Sequence, residues 1–322
     1  MPASGHLTVI AAASMFAWLG PLSRWAYAGG MEPFAFVAWR AGIGTLVLAA
    51  VLAVVAARGE RAIVRPWRLG DRQFSWLLLA TLMGLVLNMA IFAAFSRVTV
   101  ALALLGFYTY PAMVAVVAIA LGREQPSRAT LFALVLALGG MSVVVLGAVD
   151  AAAGLVVDGI GVVLALVAAA AQTVFVTVSR DGYRGLPTLE AMTVVLLGSA
   201  VGSAAFAIVA GSGGPGALGR PLLDPALLPI VIAAGTLGAG IPSLMFLTGI
   251  RVIGGTRSGI LMLFEPVVAL GLAAVFLGEL LRPVQLLGAA AVLGAAIVLQ
   301  RSARQGTGSA DDAAASLVPG GP

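Results

Sequence analysis

Residues 99–121 read TVALALLGFYTYPAMVAVVAIAL, a stretch of 23 residues without a charge that lies between Arg97 and Arg123. An α-helix rises about 1.5 Å per residue, so these residues span roughly 34 Å as a helix. The hydrocarbon core of a bilayer is ~30 Å thick. The stretch therefore predicts a transmembrane helix with an arginine at each end.

The composition of the whole chain agrees with this interpretation. Of 322 residues, 61% are hydrophobic and 10% are charged, whereas soluble domains have about 45–50% apolar residues even with glycine included. The net charge of +5 comes from 18 arginines and no lysine. Most of these arginines lie in gaps between apolar runs and form no basic patch, so we expect no nucleic-acid partner.

Residue types that are missing or rare exclude several classes of enzyme. The chain has no cysteine, no lysine and a single histidine, His6. Disulfides, thiolate chemistry, zinc sites, serine–histidine triads and serine–lysine dyads therefore have no residues to form them. A lysine-containing phosphate loop is equally impossible. We expect neither an enzyme nor a protein with a cofactor.

The template of the first stretch recurs along the chain. Segments of about 20 mainly apolar residues predict ten transmembrane helices in an all-α integral membrane protein. These segments cover residues 7–27, 34–57, 74–95, 99–121, 129–147, 159–179, 189–210, 226–249, 258–277 and 284–300.

The arginines also predict the orientation, because cytoplasmic loops are enriched in basic residues. With a cytoplasmic N-terminus, 13 arginines lie in inner segments and three, Arg97, Arg220 and Arg282, lie outside. Ala26-Tyr27-Ala28 resembles a signal cleavage site, but no basic segment precedes it, so we expect the first span to be retained. Residues 301–322 are polar and small and predict a disordered cytoplasmic tail.

An internal repeat divides the chain into halves of five spans each, residues 7–147 and 155–300. At an offset of 155, Pro111 aligns with Pro266 and Glu124 with Glu279; at 154, Arg97 aligns with Arg251. Because five is odd, the second half enters the membrane with the opposite orientation. Inverted repeats are common in transporters, although duplication also builds channels and scaffolds.

The last two spans of each half carry a recognisable pattern: Tyr110-Pro111 followed by Arg123-Glu124, and Glu265-Pro266 followed by Gly278-Glu279. The second resembles the pattern of EamA-type members of the drug/metabolite transporter superfamily, as does Arg40 in the second span. The resemblance covers about residues 7–300. It implies a ten-helix fold, a central cavity between the halves, and export of metabolites or amino acids. The first half departs from the pattern by having Tyr110 where the second has Glu265.

Two charged residues, Glu265 and Arg40, lie deep within predicted spans, where charge is costly and usually faces a cavity or a partner. Glu265 lies roughly 10–12 Å into the ninth span. Either it binds a proton or a cationic group of a substrate, or it is a structural carboxylate that orients the helix. Arg40 either binds a substrate carboxylate or pairs with Glu265, or it reaches the headgroups or forms a fixed interhelical ion pair.

Uncharged residues complete the candidate substrate site. Tyr110 lies opposite Glu265 by repeat symmetry, Ser243 follows Pro242 in the eighth span, and the glycines near Pro242 indicate a hinge or a close helix contact. The remaining candidates are polar or aromatic side chains inside spans: Asn88, Gln172, Trp18 and Trp39.

Taken together, these patterns predict a secondary transporter of the inner or plasma membrane of a bacterium. It would export a small amphipathic metabolite, such as an amino acid, by alternating access, with a coupled proton as an open alternative. A non-transporting membrane scaffold or sensor is the competing interpretation. The sequence does not determine the oligomeric state.

The positions of the arginines make a testable prediction about topology. A tag or protease site at either terminus should be inaccessible in intact cells and become accessible after the membrane is permeabilised. A terminus that is exposed on intact cells would contradict both the orientation and the inverted repeat.

Overall fold

A computed structural model describes residues 2–59, 63–95, 97–125, 127–147, 157–210, 214–277 and 282–316. All regular elements of this part of the chain are helices. The predicted boundary between the two repeats, at residues 148–154, lies outside the described residues.

Most spans are single helices, and four consist of two or three helical pieces. In chain order the α-helices are Pro2–Phe16, Leu19–Ala28, Pro33–Ala57, Asp71–Phe95, Val100–Phe107, Tyr110–Ala120, Arg128–Gly147, Gly159–Asp181, Thr188–Ala210, Gly214–Leu223, Leu227–Gly235, Ile241–Ile253, Gly255–Met262, Glu265–Leu277 and Pro283–Ser316. A 3₁₀ turn at Pro66–Arg68 and a π-helix at Thr236–Gly240 complete the elements of the described residues.

The membrane spans agree with the sequence prediction. Within the described residues, nine helical segments are long and apolar enough to cross a bilayer, and a tenth, shorter apolar helix covers Pro283–Leu299. This confirms an all-helical membrane fold with ten apolar spans. We number the spans one to ten in chain order.

The spans pack as expected for two repeats related by a two-fold axis. The third span packs against the sixth, and the eighth packs against the first, which is the equivalent pair because the third span corresponds to the eighth and the sixth to the first. The second span packs against the seventh and the fifth against the tenth, so these helices face their own repeat counterparts. Repeats of five spans related in this way run in opposite directions through the membrane.

Four spans are interrupted near their middle. The first breaks at Ala17–Trp18, the fourth at Tyr108–Thr109 and the ninth at Leu263–Phe264, while the eighth contains the π-helix. In the fourth and ninth spans the helix resumes at the repeat-equivalent pairs Tyr110-Pro111 and Glu265-Pro266. Proline has no N–H to donate, so it suits the first turn of a helix and not its interior.

Carboxylates fix the start of two spans. The Glu32 side chain accepts a hydrogen bond from the Ala35 N–H at 2.9 Å, and Pro33 begins the second span. The Asp158 side chain accepts from the Ile160 N–H at 3.1 Å and also pairs with Arg97 at 3.1 Å. This ion pair keeps the pKa of Asp158 below its usual value. Such caps satisfy N–H groups that the helix itself leaves without acceptors.

The last helix is longer than predicted. It continues from the tenth span to Ser316, whereas the polar composition predicts a disordered tail from residue 301. Adding residues to an existing helix requires no new nucleus, and alanines make up five of residues 303–315, which favours helix. Residues 317–322 of the predicted tail lie outside the described residues.

The fifth and tenth spans cross at two glycines. A Cβ on Gly140 would lie 2.6 Å from the Gly288 carbonyl oxygen, and a Cβ on Gly288 would lie 2.5 Å from the Gly140 carbonyl oxygen. Small residues at such crossings let helix backbones approach closely in a membrane. In contrast, a Cβ on the neighbouring Gly139 would meet no atom within 4 Å.

This crossing makes a matched pair of substitutions informative. Gly140→Ala should destabilise the protein by about 1–3 kcal/mol, since one methyl must displace backbone. Gly139→Ala should leave stability unchanged or slightly increased. Thermal unfolding of the two variants in detergent measures the difference, and equal unfolding temperatures would contradict the crossing.

Candidate functional site

Glu265 lies at the middle of the ninth span. It is the eleventh of the 22 residues of the span Gly255–Phe276, and it is the first residue of the half-helix that follows the break. A carboxylate is favoured at a helix N-terminus because the N–H groups there carry partial positive charge. The residue is partly accessible although it lies deep in the span.

Two tyrosines of the fourth span lie near this carboxylate. The hydroxyl groups of Tyr108 and Tyr110 both lie close enough to Glu265 to interact with it electrostatically. Both tyrosines are almost fully buried, and the Tyr110 ring lies 5.3 Å from that of Phe107. The break in the fourth span at Tyr108–Thr109 thus faces the break in the ninth span across the repeats.

Arg40 of the second span is held by neutral groups. Its Nη2 donates to the Asn88 side-chain oxygen on the third span, and its Nη1 donates to the Gly238 carbonyl oxygen at 3.2 Å. The guanidinium carbon lies 6.0 Å from the centre of the Phe92 ring. The Nε atom is buried and has no hydrogen-bond partner among the described residues. Arg40 therefore points into the bundle and does not reach towards the headgroups.

The acceptor at Gly238 follows directly from the sequence of the eighth span. In an α-helix the Gly238 carbonyl would accept from the N–H of residue 242, but Pro242 has none. The helix widens here into the π-helix Thr236–Gly240, a form that is rare and frequent at functional sites. The carbonyl bonds to Arg40 instead.

The two intramembrane charges do not form a salt bridge. No nitrogen of Arg40 lies within 4.0 Å of a carboxylate oxygen of Glu265, although the two side chains interact electrostatically. Each is next to neutral polar groups: Asn88 and a carbonyl for Arg40, and the Tyr108 hydroxyl for Glu265. One positive and one negative group are thus kept apart within the same region of the bundle.

The other predicted site residues lie in different surroundings. The Trp39 indole donates to the Leu218 carbonyl at 2.9 Å and so attaches the loop helix Gly214–Leu223 to the second span. Trp18 lies at the break of the first span, with its ring 5.0 Å from that of Phe276. Gln172 is buried on the sixth span and Ser243 is partly buried on the eighth, and neither forms a hydrogen bond to another described residue.

The structure also adds contributors that the sequence interpretation left out. Tyr108 interacts electrostatically with Glu265, as Tyr110 does, and Phe92 lies beside the Arg40 guanidinium. Pro111 is the sequence signal that could have indicated Tyr108, because a proline favours a helix break just before it. Among the described residues no cluster of three or more acidic or histidine side chains could hold a metal ion.

This arrangement defines a class of protein: a helical membrane protein of two five-span repeats with charged groups at a central, interrupted region. The model of the EamA-like transporter family matches residues 3–146 and again residues 159–301. The chain belongs to this family, and it is therefore a multi-pass membrane transporter of the drug/metabolite type. The lipid bilayer is its environment and a small molecule its expected substrate.

Comparison with solved structures supports the fold. One crystal structure of a protein superposes with a TM-score of 0.74 over 95% of this chain and 98% of the other, at 21% sequence identity. No curated protein matches the chain.

The contacts of Arg40 predict a stability effect at the third span. Asn88→Ala removes the side-chain acceptor for Arg40 and leaves a buried guanidinium short of a partner, which should cost about 1–3 kcal/mol. Ser243→Ala is the control, because Ser243 has no hydrogen bond to a described residue that it could lose. Thermal unfolding in detergent compares the two, and an Asn88→Ala variant as stable as the control would contradict the contact.

Proposed function

We propose that the protein exports a small amphipathic metabolite that carries both an amino and a carboxylate group, such as an amino acid. In this proposal Arg40 binds the carboxylate, Glu265 binds the amine or a coupled proton, and Tyr108 and Tyr110 contact the apolar part. Alternating access exposes this site first to one side of the membrane and then to the other. The transporter resides in the bacterial inner membrane with both termini in the cytoplasm.

The observation that carries the proposal is the separation of Arg40 from Glu265. Two opposite charges buried in a membrane protein reduce their cost by pairing. Here they remain apart, and each is next to neutral groups. A zwitterion has the matching charges at a fixed separation, so it can neutralise both groups at once, which a singly charged or purely apolar molecule cannot do.

Internal symmetry supports the transport mechanism. The interrupted helices of the fourth and ninth spans meet at the centre of the bundle, with Tyr110 and Glu265 each at the eleventh position of its span. Substrate sites of transporters built from inverted repeats lie at such breaks, near the middle of the bilayer. The π-helix before Pro242 in the eighth span adds a place where a span can bend.

The first experiment identifies the substrate and the direction. Extracellular and intracellular metabolites of an overexpressing strain are compared with those of a deletion strain. A metabolite with amino and carboxylate groups should accumulate outside the overexpressing cells. The purified protein, reconstituted in liposomes, should then transport that metabolite. Absence of any substrate-dependent flux would favour the competing interpretation, a membrane scaffold or sensor.

The second experiment tests the residues. In proteoliposomes, Glu265→Gln and Arg40→Gln should each lower the flux of this metabolite at least about tenfold, equivalent to about 1.4 kcal/mol of lost interaction. Gly139→Ala, which adds a methyl group in open space, should keep full flux. Flux of the Glu265→Gln variant that equals wild type from about pH 5 to about pH 8 would overturn the role of Glu265.

A further inference from the structure

A cavity lies at the end of the bundle that is predicted to face the cytoplasm. It has a volume of about 300 Å³ and lies between the ends of spans four, five, six, eight and nine. Its polar wall includes Glu124, Arg180, Thr256 and Arg257. Arg257 precedes Glu265 by eight residues in the ninth span, a rise of about 12 Å. The cavity is thus separate from the central site and lies towards the inner end of the same helix.

The ninth span begins at this cavity without a cap. Its first half-helix starts at Gly255, and no side chain of the described residues caps this helix start. The preceding Gly254 has a φ of 89°, a conformation open mainly to glycine, and a Cβ there would lie 2.8 Å from Glu124 Oε1. An uncapped helix N-terminus offers free N–H donors and partial positive charge to an anion.

A buried hydroxyl lies beside the same place. Thr256 lines the cavity, its side chain is 2% exposed, and its Oγ1 has no hydrogen-bond partner among the described residues. Buried polar groups without partners are rare in proteins and usually mark a missing ligand or water. The hydroxyl can donate to an oxygen atom bound at the helix N-terminus.

The charges of the cavity wall favour one negative charge. Arg180 Nη1 pairs with Glu124 Oε1 at 2.7 Å, so these two residues neutralise each other. Arg257 is only partly exposed and forms no ion pair or hydrogen bond with a described residue. The net charge of the lining is therefore +1. Arg257, the residue after Thr256, supplies it.

We infer that this inner cavity is a second binding site, for the carboxylate group of a small organic acid or amino acid. Arg257 supplies the charge, the Thr256 hydroxyl donates one hydrogen bond, and the uncapped first turn of the ninth span supplies N–H donors. The volume is in the range of small-ligand pockets, roughly 300–1,000 Å³. Binding of a carboxylate depends only on these groups. A role of the cavity in the entry of substrate from the cytoplasm rests on the proposed function.

Protection from a reagent specific for arginine tests the site. The intact protein in phosphatidylcholine nanodiscs is treated with phenylglyoxal, and mass spectrometry follows the modification rate of each arginine. Sodium acetate replaces sodium chloride at constant ionic strength. Acetate should slow the modification of Arg257 at least fivefold in a saturable manner and leave that of Arg128, which is outside the cavity lining, unchanged. Equal effects on both arginines, or none on Arg257, would overturn the inference.

Two variants and a second lipid distinguish this carboxylate site from the central site and from a site for lipid headgroups. Thr256→Val, which keeps the shape and removes the hydroxyl, should weaken protection by acetate at least threefold. In the Glu265→Gln variant, acetate should protect Arg257 as it does in the wild type. Protection at Arg257 can therefore be observed even if the proposed role of the central site is wrong. In nanodiscs with phosphatidylglycerol, Arg257 should react at the same rate before acetate is added. Protection by that lipid alone would assign the cavity to a headgroup phosphate and overturn the carboxylate site.

Discussion

In the hydrocarbon of a bilayer, every backbone N–H and C=O group needs a partner inside the protein, because no water is there to replace it. This constraint explains why the described chain is helical and why its helices are as long as a membrane is thick. It also makes each interruption of a span informative. The fourth and ninth spans break near their middle and the eighth contains the π-helix, where Arg40 of the second span bonds to the Gly238 carbonyl that Pro242 leaves free. Glu265, Tyr108 and the acceptor of Arg40 are found at these places.

Much of this could be predicted from the sequence because the determining signals are local. Apolar length predicts the spans, and the aligned Pro111 and Pro266 predict that the repeats share a feature at mid-span. The depth of Glu265 follows from counting residues. The glycines and proline of the eighth span indicate a distorted helix, although they do not say that it is a π-helix.

The partners of the charged side chains could not be predicted, since they depend on how distant spans pack. Arg40 bonds to Asn88, 48 residues away, and to Gly238, 198 residues away. Trp39, an aromatic residue within a span, is expected from the sequence to line the site, yet its indole donates to the Leu218 carbonyl on a loop helix. Gln172 and Asn88 look alike in sequence, as single amides in apolar spans. Only the packing of the second and third spans distinguishes them, by placing Asn88 beside the guanidinium.

The repeats share a backbone plan and differ in chemistry. Tyr110 and Glu265 occupy matching positions, but only one of them carries a carboxylate, so a ligand between the halves meets unequal walls. The second repeat supplies the acid and the Gly238 carbonyl, and the first supplies the arginine, the amide of Asn88 and both tyrosines. The symmetry of the fold thus gives two similar halves, while the difference in side chains makes the central region unsymmetrical.

The bond between Arg40 and the Gly238 carbonyl has a mechanical consequence. That oxygen lies in the π-helix of the eighth span. Returning this segment to regular α-helical register would move the oxygen away from the guanidinium, so bending of the span and the availability of the charge form one equilibrium. By reciprocity, an anion that takes Arg40 from the carbonyl changes the cost of straightening the helix by the same free energy that the helix adds to its binding. The second and eighth spans are therefore coupled through the bond between Arg40 and this carbonyl.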